Sequence, residues 1–199
     1  MLRKTLFFAS LLIIFSGCAT SMEMRPSDVK ELKSDEGVVF GSILIRKLSE
    51  TEDMKTSTNE KGGKVWTVNM VDSRKSPVKY SLSGADAAVQ TREGLETPFV
   101  TKLAAGEYRF IEASAQVFAG TLNLPLNITF RVDPGRTVYI GKLVIEMPQK
   151  MDKRVLGIAS GTSFTFRVED SQEATAESLK GEYGEVLEGA VKELMAFKP

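Results

Sequence analysis

The stretch from Asn127 to Met147, NITFRVDPGRTVYIGKLVIEM, narrows the folds open to this chain more than any other. Ile128, Phe130 and Val132 alternate with Asn127, Thr129 and Arg131, so a strand here sends three apolar side chains to one face and three polar ones to the other. Asp133-Pro134-Gly135-Arg136 then spells a reversing turn, because proline suits its first central position and glycine accepts the positive φ of its second. A return strand follows in TVYIGKLVIEM. A strand with one apolar face needs a second layer to cover it, so this unit already points to stacked sheets.

The same signature recurs along the chain. VVFGSILIRKL at 38–48 is a Val- and Ile-rich candidate strand, and VWTVNMV at 65–71 places Trp66, Val68 and Met70 on one face. VKYSLSG supplies a shorter strand at about 78–83, Phe99 to Leu103 another, and GEYRFIEASAQVF sets Tyr108 and Phe110 against Glu107, Arg109 and Ile111. VLGIA at 155–159 is a short candidate, and TSFTFRVED aligns Phe164, Phe166 and Val168. These strands are separated by turns, without the repeated long amphipathic helices of a parallel α/β fold. The expectation is a mainly β protein, an antiparallel β-sandwich of about seven or eight strands over residues 37–169, with an open barrel as the structural alternative.

The period changes in the tail, residues 170–199. Asp170 is placed to cap a helix through Gln172 to Lys180, with Glu173 at the capping-box position, and Gly181 and Gly184 interrupt or weaken it. Val186, Leu187, Ala190, Val191 and Leu194 then recur at helical spacing, predicting a terminal helix packed on the sandwich.

At the other end, Arg3 and Lys4 precede a short apolar run from Leu6 to Phe15, too short for a membrane span of about 20 residues. Phe15-Ser16-Gly17-Cys18 follows, and this tetrapeptide resembles the lipobox of bacterial lipoproteins. The resemblance implies that residues 1–17 are a signal peptide cleaved before Cys18. It also implies that the Cys18 sulfur carries a diacylglyceryl group and that its new amino group is acylated, with palmitate an expected chain. Ala19 stands where an aspartate retains many such proteins in the inner membrane, so the sorting rule implies the outer membrane, with the domain expected to face the periplasm and surface exposure as the alternative. Residues 18–36, with isolated apolar positions and one proline, read as the lipidated terminus and a tether.

Composition enters through what it removes. The 199 residues contain no histidine and one cysteine, which excludes imidazole metal ligands, His-dependent triads and histidine phosphotransfer, and leaves no thiol once Cys18 is acylated. Lys plus Arg and Asp plus Glu both number 26, and the two signs are interspersed, so nucleic acid is not an expected partner. Gly62-Gly63-Lys64 lacks the spacing of a phosphate loop and reads as a turn. Glu50, Glu52 and Asp53, and Asp170 with nearby carboxylates, lack the ligand spacing of a calcium loop. Asp133 and Arg136 are spaced for an ion pair across their turn. Asp86 with Glu93 or Glu107 would be the acid pair of a carboxylate-dependent hydrolase, and Trp66, Tyr80, Tyr108 and Tyr139 would line a ligand surface if they did not pack in strands. No catalytic residue, cofactor or metal is assigned.

GEYRF, NITFRVDPGRTVYIG and TFRVEDSQEATAESL together resemble small bacterial lipoproteins with transthyretin-like or carboxypeptidase-regulatory-like β-sandwiches. That resemblance implies architecture and placement and carries over no active-site residue. The functional expectation is a lipid-anchored periplasmic protein that binds or assists assembly of an envelope partner without catalysis. A sheet edge or the loop from Ser49 to Gly63 would make the contact. The alternatives are a small apolar ligand held between the sheets and the carboxylate-dependent envelope hydrolase.

Overall fold

A computed structural model describes residues 20–21, 32–47, 66–73, 79–83, 89–117, 120–147 and 164–198. Its strands are β1 (Thr20–Ser21), β2 (Glu36–Lys47), β3 (Trp66–Asp72), β4 (Lys79–Ser83), β5 (Val89–Gln90), β6 (Gly94–Ala104), β7 (Gly106–Val117), β8 (Gly120–Val132), β9 (Thr137–Met147), β10 (Thr165–Glu169), β11 (Val191–Lys192) and β12 (Ala196–Phe197), with helix α1 (Gln172–Leu187) between β10 and β11. Eight of these strands have five or more residues. They form two sheets, β1-β4-β3-β7-β8-β12 and β10-β9-β2-β6-β5, packed as a sandwich with a C-terminal helix.

The alternation read from sequence carries the packing. Ile128, Phe130 and Val132 are buried between the sheets, as are Val68, Met70, Tyr108 and Phe110, while Phe164, Phe166 and Val168 pack against this core from the edge strand β10. Tyr108 and Phe130 face each other across β7 and β8 with ring centroids 5.6 Å apart, and Phe110 lies 5.1 Å from Phe130. The Tyr108 hydroxyl donates to the Ala104 carbonyl at 2.9 Å, so a buried phenol also ties down the connection between β6 and β7.

The Pro-Gly turn differs from the reading in one respect. Gly135 has the expected φ of 68°, and Arg136 lies 3.7 Å from Asp133 across the turn. Yet β8 and β9 are not paired with each other: the turn carries the chain from one sheet to the other, and β9 pairs with β2 in parallel. The remaining long neighbours in both sheets are antiparallel. Along β9 the ladder to β2 shifts register between Phe40 and Ser42. Gly141 sits in this bulge with φ of 103°, a conformation that favours glycine. Val138 and Ile140 point into the core before it, Leu143 and Ile145 after it. Lys142 therefore lands on the outer face, where unbroken alternation from Ile140 would have turned it inward.

The tail corrects the expected terminal helix. Helix α1 runs unbroken through Gly181 and Gly184 and stops at Leu187, with Gly189 at φ of 73° just beyond. Ala176, Leu179, Tyr183, Val186, Leu187 and Ala190 cover Val38, Phe40, Val100 and Tyr139 on the outside of the second sheet, and that packing offsets the weak helix propensity of two glycines. Residues 190–198 are an extended strap. It pairs first with β9 and then with β8, lacing the two sheets together along their open side. Val191 and Leu194, expected on a buried helical stripe, are exposed, and Met195 is the strap residue inserted into the core.

Candidate functional site

Two surface features stand out from the sandwich. The first is on the outer face of the second sheet, beyond the part that α1 covers. Arg46, Glu96, Lys142, Glu146, Arg167 and Glu169 come from four neighbouring strands. Arg46 and Glu146 are register partners, and their side chains meet at 3.3 Å. Arg46 also pairs with Glu93 and lies 3.9 Å from Glu169. Arg167 reaches Glu146 at 2.7 Å and Glu169 at 2.6 Å, while Lys142 holds Glu96 at 3.0 Å. The Glu93 carboxylate, followed by the charges of Glu169 and Glu146, holds the Arg46 guanidinium above its ordinary value. Among these residues in the register, Leu44 and Val144 are fully buried, and the buried Ser42 hydroxyl has no hydrogen-bond partner among the described residues.

This layer is compensated charge over apolar surface. Glu146 and Glu169 are both clamped by Arg46 and Arg167, so they do not form the open carboxylate pair that glycoside hydrolysis requires. Of the acid residues raised from sequence, Glu93 precedes and Glu107 follows the 11-residue β6. At about 3.3 Å per residue they lie roughly 35 Å apart along the strand direction. Glu107 pairs instead with Lys198 at 2.6 Å, which pulls its carboxyl below its usual range. Among the described residues no group of three or more Asp, Glu or Cys side chains is arranged to hold a metal ion.

The second feature is the strap. The Glu193 and Met195 amides donate to the Tyr139 and Ile140 carbonyls at 3.0 and 2.8 Å. The Lys198 amide donates to the Asn127 carbonyl at 2.9 Å, and the Asn127 side chain donates back to the Lys198 carbonyl at 3.0 Å. Lys192 grips Asp170 at 2.7 Å, lowering the Asp170 pKa and raising its own. Asp170 in turn accepts from the Gln172 amide at 3.4 Å, while the residue at the N-cap itself is Ser171. The strap's Val191, Leu194 and Phe197 are the exposed large apolar side chains among the described residues. Beside them, Glu107, Phe130, Arg131, Pro134, Glu193 and Leu194 line part of an open cleft of about 510 Å³.

The aromatic candidates divide. Tyr108 is core. Tyr139 is buried beneath the start of α1, where its hydroxyl accepts the Ser171 amide at 2.8 Å, and burial raises its pKa above the usual phenol value. Trp66 and Tyr80 contribute backbone to β3 and β4, and their side chains lie outside the described part. Cys18, Glu50, Glu52, Asp53, Gly62, Gly63, Lys64, Asp86 and the VLGIA candidate lie outside the described residues altogether. Neither the charged layer nor Met195 was singled out from sequence. The alternating Arg46, Lys142, Glu146, Arg167 and Glu169 signal a polar face, but their pairing depends on strand order.

No family model matches the chain, and no curated protein matches it. Among solved structures it is similar to a leucine-rich repeat protein from Bacteroides thetaiotaomicron VPI-5482, with 13% identity and a TM-score of 0.34, over 55% of this chain and 14% of that one. A likeness this slight carries no argument about fold or function. Among the described residues no helix is long and apolar enough to cross a membrane.

Proposed function

We propose that the protein is an outer-membrane lipoprotein, anchored through Cys18 and facing the periplasm, whose transthyretin-like sandwich serves as a noncatalytic binding or assembly accessory. The anchor rests on the Phe15-Ser16-Gly17-Cys18 motif. The observation that carries the binding role is the concentration of Val191, Leu194 and Phe197 on one exposed strap beside an open cleft. Exposed apolar side chains scattered singly need no explanation, whereas three within seven residues of a sheet-edge segment support reading that segment as the place of contact. The compensated ion pairs on the other sheet face supply no comparable attraction.

The test uses the lipidated protein in intact cells. Palmitate labelling is expected for the native chain and absent for Cys18→Ser. A crosslinked complex is expected with the native chain, and Leu194→Asp with Phe197→Asp is expected to abolish it without lowering the melting temperature. Palmitate labelling that survives Cys18→Ser would remove the anchor, and a complex indifferent to the two aspartates would remove the strap as its contact surface.

A further inference from the structure

The strap is held as a bound peptide would be. Its contacts to β8 and β9 are largely backbone hydrogen bonds, Met195 is its one buried side chain, at 4% exposure, and it leaves α1 through the exposed turn at Glu188 and Gly189. Gly189 has φ of 73° and nothing within 4 Å of where a Cβ would stand, so the turn is shaped by backbone conformation and not by packing. The groove between β8 and β9 therefore recognises an extended segment bearing one long apolar side chain, and every copy of this chain carries that segment.

We propose that the groove's partner in trans is a second copy of this chain, the two molecules exchanging their straps by opening at Gly189. Each Met195 then enters the other copy's core, and the Lys192–Asp170 and Lys198–Glu107 pairs re-form between copies. Closed monomer and exchanged dimer share these contacts and differ at the hinge, which makes exchange a low-cost route to association. This deepens the accessory reading by naming a partner for the strap, and it rests on that reading in one respect: anchoring both copies in one membrane raises their effective concentration.

Thr129 and Ala196 are register partners across β8 and β12, and Cα atoms directly opposite in an antiparallel pair are within reach of a disulfide. A chain bearing Thr129→Cys is co-produced with one bearing Ala196→Cys, both in a Cys18→Ser background so that no other thiol is present. A covalent heterodimer on a non-reducing gel is expected, well in excess of the two homodimers that collisional thiol oxidation gives, because only a strap seated in the other copy sets the two cysteines opposite each other. If the Thr129→Cys/Ala196→Cys double variant closes within one chain while the mixture yields no heterodimer, exchange is overturned. Crosslinks from the strap to a different protein, again without heterodimer, overturn it also and assign the groove elsewhere. Gly189→Val supplies a second readout, because a β-branched residue resists positive φ and opening the turn relieves it. The dimer association constant measured by light scattering is expected to rise about tenfold, and an unchanged constant contradicts the hinge. Because Cys18 is absent from these proteins, heterodimer formation is independent of whether the native chain is acylated.

Discussion

The outer face of the second sheet is covered in two different ways. At one end α1 lays Ala176, Leu179, Tyr183, Val186 and Leu187 over Val38, Phe40, Val100 and Tyr139. At the other, Arg46, Lys142 and Arg167 with their carboxylate partners surround the buried Leu44 and Val144 in the strand register. Both leave the underlying apolar residues dry, yet the physics differs. The helical end gains free energy from apolar area removed from water. The charged end gains cover from the methylene stems of long side chains, and its ion pairs chiefly offset the cost of holding charge near apolar surface. Truncation should therefore be costly at the helical end, whereas at the charged end a change should be costly only when it leaves a charge alone.

Phe40→Ala tests the first half of that contrast most severely. Phe40 is fully buried and its ring centroid lies 5.1 Å from that of Tyr139, so chemical denaturation should register a loss of about 3–5 kcal/mol. A loss under 1 kcal/mol would mean that the helix is not bound through this cluster.

Lys142→Met tests the second half. It leaves Glu96 without its partner in a site where both side chains are less than one fifth exposed, at an expected cost of about 1–3 kcal/mol. The double variant Lys142→Met/Glu96→Leu should recover most of that loss, because an apolar pair can replace a partly buried ion pair with little net change. If the two losses simply add, the pair is not coupled and the description of the charged end fails.

Gly181→Ala sharpens the helical side with the opposite sign. Gly181 is exposed in mid-helix with open space where a methyl would stand, so the substitution should raise stability by about 0.5–1 kcal/mol. An unchanged or lowered melting temperature would show that the glycine serves something other than the helix.

The smallest effect concerns acid. Asp170 is held below its usual range by Lys192 and Glu107 by Lys198, and both pairs clip the strap. A carboxyl whose folded pKa is depressed contributes stability above its unfolded pKa, near 4, and that contribution is lost as pH falls through the lower folded value. Hydrogen exchange in residues 190–198 should accelerate over that interval before α1 does, and Asp170→Asn with Glu107→Gln should flatten the response. Simultaneous loss of helix and strap would show that these pairs do not hold the strap separately.

Sequence reasoning succeeded where burial follows a local period. The Ile128-Phe130-Val132 alternation, the Val68 and Met70 face and the Phe164-Phe166-Val168 set all lie where a period of two puts them. The strand expected from Asn127 is the second half of β8, which runs from Gly120 through a proline. Pro125 is tolerated where the ladder to β7 shifts register, an exception that depends on the neighbouring strand. The expected helical stripe extends through Ala190, Val191 and Leu194 because Val186 and Leu187 do belong to one, whereas the chain turns at Gly189 and becomes a strap. The acid pair weighed at Asp86 with Glu93 or Glu107 turns on Asp86, which lies outside the described residues, while its two candidate partners stand at opposite ends of the 11-residue β6.

What the sequence by itself determined is local: which segments are extended, which of their faces are apolar, that a helix follows the last long strand, and the cysteine motif on which the anchor is proposed. Tertiary structure alone decided that β2 and β9 lie side by side in parallel, that a bulge at Gly141 delivers Lys142 to Glu96, and that Met195 closes the gap between the sheets. Alternation and capping act over a few residues and are written in neighbouring side chains. Strand order, ion-pair partners and the path of the strap depend on contacts between segments distant along the chain, whose energies are settled only when the layers pack together.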